Sequence, residues 1–156
     1  MIFRRANPED AETISSLIML FRDSLTVDPS GVSAERFFAS VSVEAERSYM
    51  RSDRYDYLVA EIEGELAGII AMRDQTHPLH LFVFPKYQRR GLARELWRQA
   101  REAAVSRNAV KEFTVNSSLP AVPVYERLGF ERISPPMQEH GVVFIRMRYT
   151  DGDNAA

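Results

Sequence analysis

Residues 81–93 place a short apolar run, a proline and a polar turn directly before an amphipathic helix. This order predicts a strand, a loop and a helix N-terminus in succession. Unpaired backbone N–H groups at a helix start, together with the positive end of the helix dipole, bind phosphate groups. Gly91, at the end of the turn, has no Cβ to keep a ligand away from the backbone. The segment therefore predicts a site for a phosphorylated ligand.

Charge and composition limit the kind of ligand. Six basic residues lie close to the turn: Lys86, Arg89, Arg90, Arg94, Arg98 and Arg101. The whole chain of 156 residues nevertheless carries 20 Lys and Arg against 22 Asp and Glu. This balance gives no electrostatic case for a nucleic-acid partner, so we expect a local anion site. The absence of cysteine from the sequence excludes disulfides, thiolate metal sites and a cysteine nucleophile.

The apolar runs are too short to span a membrane, and the first residues reach a charge at Arg4 without the apolar stretch of a secretory signal. We therefore expect a soluble, cytoplasmic protein with no membrane partner.

The elements that must position the turn follow from apolar spacing. Four helices are predicted, over residues 8–25, 34–50 and 121–128 and from Gly91 onward, with a break at residues 28–31 and a restart at Ser33. Seven strands are predicted, over residues 2–5, 57–62, 66–72, 79–84, 111–116, 130–133 and 142–149. This order describes an α/β fold with a mixed sheet covered by helices. We expect one domain over residues 1–150 and a flexible tail over residues 151–156.

Two motifs add a family resemblance. Residues 88–93 fit the pattern Gln or Arg, two variable residues, Gly, one variable residue, then Gly or Ala. Ala121 lies four residues before Tyr125, and Leu-Gly-Phe follows at residues 128–130. With both motifs in this order, about 30 residues apart, the chain resembles the GCN5-related N-acetyltransferase (GNAT) family over nearly its whole length. The resemblance implies a GNAT-like acyl-CoA N-acyltransferase fold whose fourth and fifth strands splay apart.

The resemblance also implies acetyl-CoA as cosubstrate, without a metal. Its pantetheine arm would pair with backbone groups near Phe82 and Val83. Its pyrophosphate would lie on the N–H groups of Gln88, Arg89, Arg90, Gly91, Leu92 and Ala93. Two positions depart from the family pattern, because Ala93 replaces a frequent glycine and Ser118 replaces a frequent asparagine. We expect Asn116 to supply the amide contact in place of Ser118.

Tyr125 is the expected general acid, because a phenol with a pKa of about 10 can protonate a leaving thiolate whose thiol has a pKa of about 8.5. The residues around Ser117 and Ser118 form no Gly-x-Ser-x-Gly elbow, so direct attack by the amine in a ternary complex is expected. The general base is left open between His77, Glu61 and water. Simple strand alternation places His77 and His80 on opposite faces.

The resemblance implies an acceptor that is a primary amine of a small molecule or a protein, held between residues 23–38 and 134–141. Phe37, Phe38 and Tyr49 either line that pocket or pack in the core. A noncatalytic acyl-CoA-binding sensor on the same fold is the alternative function. A homodimer through an exposed strand edge or through residues 142–149 is also open.

Overall fold

Two four-stranded sheets form the framework of the computed structural model, which describes residues 1–27 and 34–152. The first sheet contains, in spatial order, β1 (Ile2–Arg5), β2 (Tyr55–Ile62), β3 (Glu65–Arg73) and β4 (His77–Val83). The second contains β5 (Glu112–Ser117), β6 (Glu131–Arg132), β7 (Met137–Glu139) and β8 (Val142–Thr150). All paired strands are antiparallel, and β8 pairs with each of the other three strands of its sheet.

Six α-helices lie within the described residues: α1 (Ala11–Met19), α2 (Arg22–Leu25), α3 (Glu35–Ser40), α4 (Val43–Met50), α5 (Leu92–Asn108) and α6 (Val122–Leu128). The first predicted helix begins as expected, since Asn7 caps a short 3-10 helix at Pro8–Asp10, but it then divides into α1 and α2. The second divides at Val41, and Ser42 caps α4 by accepting a hydrogen bond from Ala45 N at 3.1 Å. The predicted break at residues 28–31 and the restart at Ser33 lie outside the described residues.

Helices cover both faces of the first sheet. Helices α1 and α4 pack on one face, where Ile14, Leu17 and Ile18 of α1 are buried against Ile69 of β3. Helix α5 packs on the other face and also reaches the second sheet. The ring of Trp97 on α5 lies 5.1 Å from that of Phe113, 5.0 Å from Phe130 and 5.3 Å from Tyr149, measured between centroids. A single apolar core therefore joins the two sheets under α5.

Strands β4 and β5 separate from each other, as predicted for the fourth and fifth strands. One backbone hydrogen bond, from Thr114 N to Thr76 O at 3.1 Å, joins them where β4 begins. Beyond that point the two strands belong to different sheets. The predicted fold class is confirmed, with β7 as an additional strand inside the loop expected at residues 134–141.

A bulge in β4 changes which side chains share a face. Ala71 pairs with His80 and Met72 with Pro78, so Leu79 is an extra residue in β4. Arg73 pairs with His77. Since directly opposed residues share a face, the bulge places His77 and His80 on the same side of the sheet. The prediction that they lie on opposite faces is wrong, because alternation does not count an inserted residue.

Asp151, the first residue of the expected tail, makes two contacts with the rest of the protein. Asp151 N donates to Lys111 O at 2.7 Å, and Arg101 lies 3.3 Å from the Asp151 carboxylate. Residues 153–156 of the predicted tail lie outside the described residues. Strand β8 has a neighbour on each side at Met147 and Arg148, so these residues are not available for pairing across a dimer. None of the described helices is long and apolar enough to cross a membrane.

Candidate active site

A cavity of about 480 Å³ opens where β4 and β5 separate. One wall is formed by β4, including His77, His80 and Phe82, and the other by Asn116 of β5 and Tyr125 of α6. The lining also includes Leu25, Arg36, Phe37, Tyr49, Tyr55, Arg73, Glu139 and His140. The two segments expected to flank an acceptor therefore both contribute to the lining. Phe37 and Tyr49 line the cavity, whereas the ring of Phe38 packs 5.7 Å from that of Phe37.

Tyr125 lies on α6 at the edge of this cavity. Its ring packs edge-on against Phe130, 5.3 Å between centroids, and the residue is 9% exposed. Burial raises the pKa of Tyr125 above its usual value, so the phenol stays protonated at neutral pH. Among the described residues, no hydrogen bond engages its hydroxyl. Tyr125 is therefore a protonated donor with its hydroxyl available to a ligand.

The edge of β4 carries backbone groups directed toward the gap. Phe84 N donates to Ala67 O at 2.9 Å, so the backbone of Phe84 faces β3. Bonded and nonbonded pairs alternate along an antiparallel ladder. The backbone N–H and C=O of Phe82 therefore also point toward β3, while those of Leu81 and Val83 point toward the gap. The backbone groups of Phe82 are therefore used within the sheet, and its ring lines the cavity. Val83 O already accepts a hydrogen bond from Gln88 Nε2 at 3.0 Å.

The loop between β4 and α5 has an unusual backbone. Arg89 and Gly91 both have positive φ, 66° and 79° respectively. Left-handed conformation outside glycine is uncommon, and turns of this kind form anion-binding concavities of backbone N–H groups. A Cβ built on Gly91 would meet no protein atom within 4 Å, so it would project into open space in front of the helix. Before the loop, Tyr87 donates to Glu65 at 2.6 Å and anchors the turn to β3.

The basic residues near this loop are only partly neutralised. Lys86 pairs with Glu65 at 2.9 Å, Arg98 pairs with Glu95 and Glu102, and Arg101 pairs with Asp151. The guanidinium of Arg90 lies 5.5 Å from the centre of the Tyr87 ring. In residues 1–27 and 34–152, no ion pair engages Arg89 or Arg94. Positive charge therefore remains at the N-terminus of α5.

The candidate bases differ in position. His77 Nδ1 lies 3.2 Å from Thr114 Oγ1. Burial, and secondarily the charge of Arg73, lower the pKa of His77 to about 4, which makes it a weak proton acceptor. Glu61 pairs with Arg4 at 2.7 Å and does not line the cavity. Within the described chain, no cluster of three or more His, Asp or Glu side chains has the arrangement to hold a metal ion.

Sequence reasoning missed one buried polar group beside the cavity. Glu46 of α4 is fully buried, and its Oε1 accepts a hydrogen bond from Tyr57 at 2.6 Å. Its Oε2 lies 3.1 Å from His80 Nε2. The spacing of Glu46, three residues before Tyr49 and four before Met50, is the signal that could have placed it on the inner face of α4.

The structure thus combines two separated sheet edges, a left-handed turn at a helix N-terminus and a buried phenol. Residues 25–151 match the family model of the acetyltransferase (GNAT) domain, and the chain belongs to this family. The match confirms the predicted family and the prediction of an N-acetyltransferase that uses acetyl-CoA as cosubstrate. Comparison with curated protein sequences gave no match.

Solved structures share the fold at low sequence identity. A GCN5-related N-acetyltransferase from Rhodopseudomonas palustris superposes with a TM-score of 0.77 at 19% identity, covering 96% of this chain and 94% of that one. The PaiA N-acetyltransferase of Thermoplasma acidophilum, in complex with coenzyme A, gives 0.74 at 15% identity, covering 96% and 98%. An aminoglycoside 6′-N-acetyltransferase complexed with coenzyme A gives 0.71 at 16% identity, covering 96% and 97%. At these identities, the likeness establishes the fold.

Proposed function

We propose that this protein transfers the acetyl group of acetyl-CoA directly to a primary amine held in the cavity between β4 and β5. The observation that carries the proposal is that Tyr125 presents a protonated, unbonded hydroxyl to the same cavity that β4 and Asn116 line. The acceptor is an amine of a small molecule or of a protein.

The separated strands support a binding mode for the pantetheine arm. Val83 N–H and the backbone groups of Leu81 face the gap, so an extended amide-containing chain can pair with them as an added strand. Val83 O is occupied by the side chain of Gln88, which ties the strand end to the phosphate loop. Asn116 offers a side-chain amide from the opposite wall.

The loop at the start of α5 supports a pyrophosphate site. We assign the N–H groups of residues 88–93, which include Gln88, Leu92 and Ala93, to the phosphate oxygens. Gly91 leaves open space in front of these groups, and Arg89 has no carboxylate partner within the described residues. Arg90 stacks on Tyr87 and adds charge close to the same loop.

The chemistry follows from the placement of Tyr125. A neutral amine attacks the thioester carbonyl, a C–N bond forms, and the C–S bond breaks to release a thiolate. Tyr125 donates its proton to that thiolate, and the proton lost by the amine returns to the phenolate through solvent. The raised pKa of Tyr125 keeps its hydroxyl protonated at neutral pH. It also makes proton donation less favourable than from an exposed tyrosine.

Release of free CoA thiol tests the proposal. The protein is mixed with acetyl-CoA and, separately, lysine, spermidine, kanamycin or a peptide with a free N-terminus, and acetylated products are detected by mass. We expect thiol release with at least one amine. Stabilisation by acetyl-CoA without thiol release from any amine would favour the acyl-CoA-binding sensor.

Substitution of Tyr125 tests the acid. Tyr125→Phe should lower kcat by about 10²-fold or more, as expected for loss of a general acid, and leave the KM for acetyl-CoA nearly unchanged. Tyr149→Phe is a matched control, because the Tyr149 ring packs on the same Phe130, 5.4 Å away, without lining the cavity. Equal kcat values for Tyr125→Phe and the native protein at every pH would remove Tyr125 from the acid role.

A further inference from the structure

The carboxylate of Glu46 is buried in a place where a charge is expensive. The side chain is fully buried on α4, and a carboxylate taken out of water without partners costs several kcal/mol. Here each oxygen has one partner, Tyr57 from β2 and His80 from β4. The carboxylate of Glu46 on α4 therefore links β2 to β4. Of its two partners, His80 lines the active-site cavity.

The contact with Glu46 fixes the chemistry of His80. A carboxylate oxygen accepts hydrogen bonds, so the contact with Glu46 assigns the donated proton to His80 Nε2. Nδ1 is then the nitrogen with a free lone pair, and no described residue bonds to it. His80 lies on the same face of β4 as Phe82, whose ring is 6.0 Å away.

We propose that His80 Nδ1 is the proton acceptor for the substrate amine, with Glu46 as a positioning residue that holds the ring and stabilises its protonated form. This assignment rests on the proposed acetyl transfer. An entering ammonium group gives one proton to His80 Nδ1, and the neutral amine then attacks the thioester. The imidazolium formed is paired with the Glu46 carboxylate and releases its proton to solvent after CoA thiol and acetylated amine depart.

Four titratable groups packed near the pair do not replace it. Arg73 of β3 is a permanent cation, and Tyr49 of α4 has a pKa raised by burial. Tyr57 donates to Glu46, and burial likewise raises the pKa of Tyr57. His77, on the same strand, has a pKa lowered to about 4. The α1 residues packed here are apolar, apart from Ser15, which donates to Val41 O at 2.7 Å.

The experiment compares His80→Gln and Glu46→Gln with the native protein across pH 6 to 10, using the panel amine that is turned over fastest. His80→Gln should lower kcat about 10²-fold or more near pH 7 without changing the KM for acetyl-CoA. This deficit should shrink toward pH 10, where an amine with a pKa of about 10.4 is increasingly neutral before it binds. Glu46→Gln should lower kcat at least tenfold near pH 7, because the amide no longer holds the ring that accepts the proton, and this deficit should also shrink toward pH 10.

Tyr57→Phe separates a kinetic role from a purely structural one. It removes the other hydrogen bond of the same carboxylate and leaves the Glu46–His80 pair, so it should lower Tm without shifting the pH profile. A kcat deficit for His80→Gln that stays constant from pH 7 to pH 10 would overturn the proposal. So would a pH-dependent deficit that appears with His77→Gln in place of His80→Gln.

The outcomes distinguish the two levels of the assignment. If the native protein acetylates an amine and both folded variants match it, the role of the pair fails while acetyl transfer stands. If the native protein releases no thiol with any amine, both fail. Either variant alone decides the question when it keeps a native thermal transition and is stabilised by acetyl-CoA.

Discussion

Replacement of Gly91 by alanine tests the phosphate loop by separating conformational strain from ligand contact. Gly91 has φ of 79° and no protein atom within 4 Å of an added Cβ. The cost to stability is therefore the left-handed conformation alone, about 1–2 kcal/mol. For a protein of this size, such a loss lowers Tm by about 2–8 °C.

Gly64, in the β2–β3 turn, provides a matched control. Its φ is 81°, and its Cβ would also meet nothing within 4 Å. Gly64→Ala and Gly91→Ala should therefore lower Tm by similar amounts in thermal unfolding without ligand. Gly64 lies outside the loop at residues 88–93, so its replacement should leave acetyl-CoA binding unchanged.

Only Gly91→Ala should weaken binding of the cosubstrate. Its methyl group would occupy the space assigned to the pyrophosphate, and loss of one hydrogen bond to a charged group costs about 1.5–3 kcal/mol. The Kd for CoA, measured by calorimetric titration, should then rise roughly 10–100-fold. Similar Tm losses in both variants with an unchanged Kd for CoA in Gly91→Ala would refute the assignment of this loop.

Two further substitutions test packing and protonation. Gly129→Ala adds a Cβ only 3.0 Å from Tyr149 Cε2 at a φ of 106°, so strain and overpacking together should cost about 2–4 kcal/mol and lower Tm more than Gly64→Ala does. A Tm loss no larger than that of Gly64→Ala would contradict this account. The pKa of His77 is lowered from 6.5 to about 4 in the folded protein. As the pH falls from about 6.5 to 4, the unfolded chain is therefore protonated at His77 while the folded chain is not, and the free energy of unfolding decreases. Urea unfolding of His77→Gln should show a smaller loss of stability over this interval than the native protein, and parallel losses would argue against the buried neutral imidazole.

Local sequence determined the elements around the candidate site that were predicted correctly. The strand, loop and helix around Gly91 are encoded by consecutive residues, and the structure places Leu92 at the first position of α5. Likewise, Tyr125 is positioned by a short helix that ends at Gly129, which has the left-handed conformation expected at a helix end. Neither feature needs information from a distant strand.

The parts that were missed depend on contacts between distant residues. The bulge at Leu79 exists only in the pairing of β4 with β3, and it reverses the side on which His77 was expected relative to His80. Burial of Glu46 makes sense only with Tyr57 and His80 beside it. The helical pattern of residues 34–50 contains no information about partners of Glu46 that two distant strands supply. Periodicity therefore gave the elements and missed this polar cluster.

The gap between β4 and β5 also bears on how the sheet is completed. Each of these strands has an edge whose backbone groups lack a neighbouring strand beyond the contact at Thr76 and Thr114, and such edges are normally covered or charged to prevent unwanted pairing. Because α5 packs on the first sheet beside Gly68 through Leu96 and on the second sheet through Trp97, the two edges are held apart. The edge of β4 thus keeps backbone groups of Leu81 and Val83 without a neighbouring strand, as the proposed pairing with an extended chain requires.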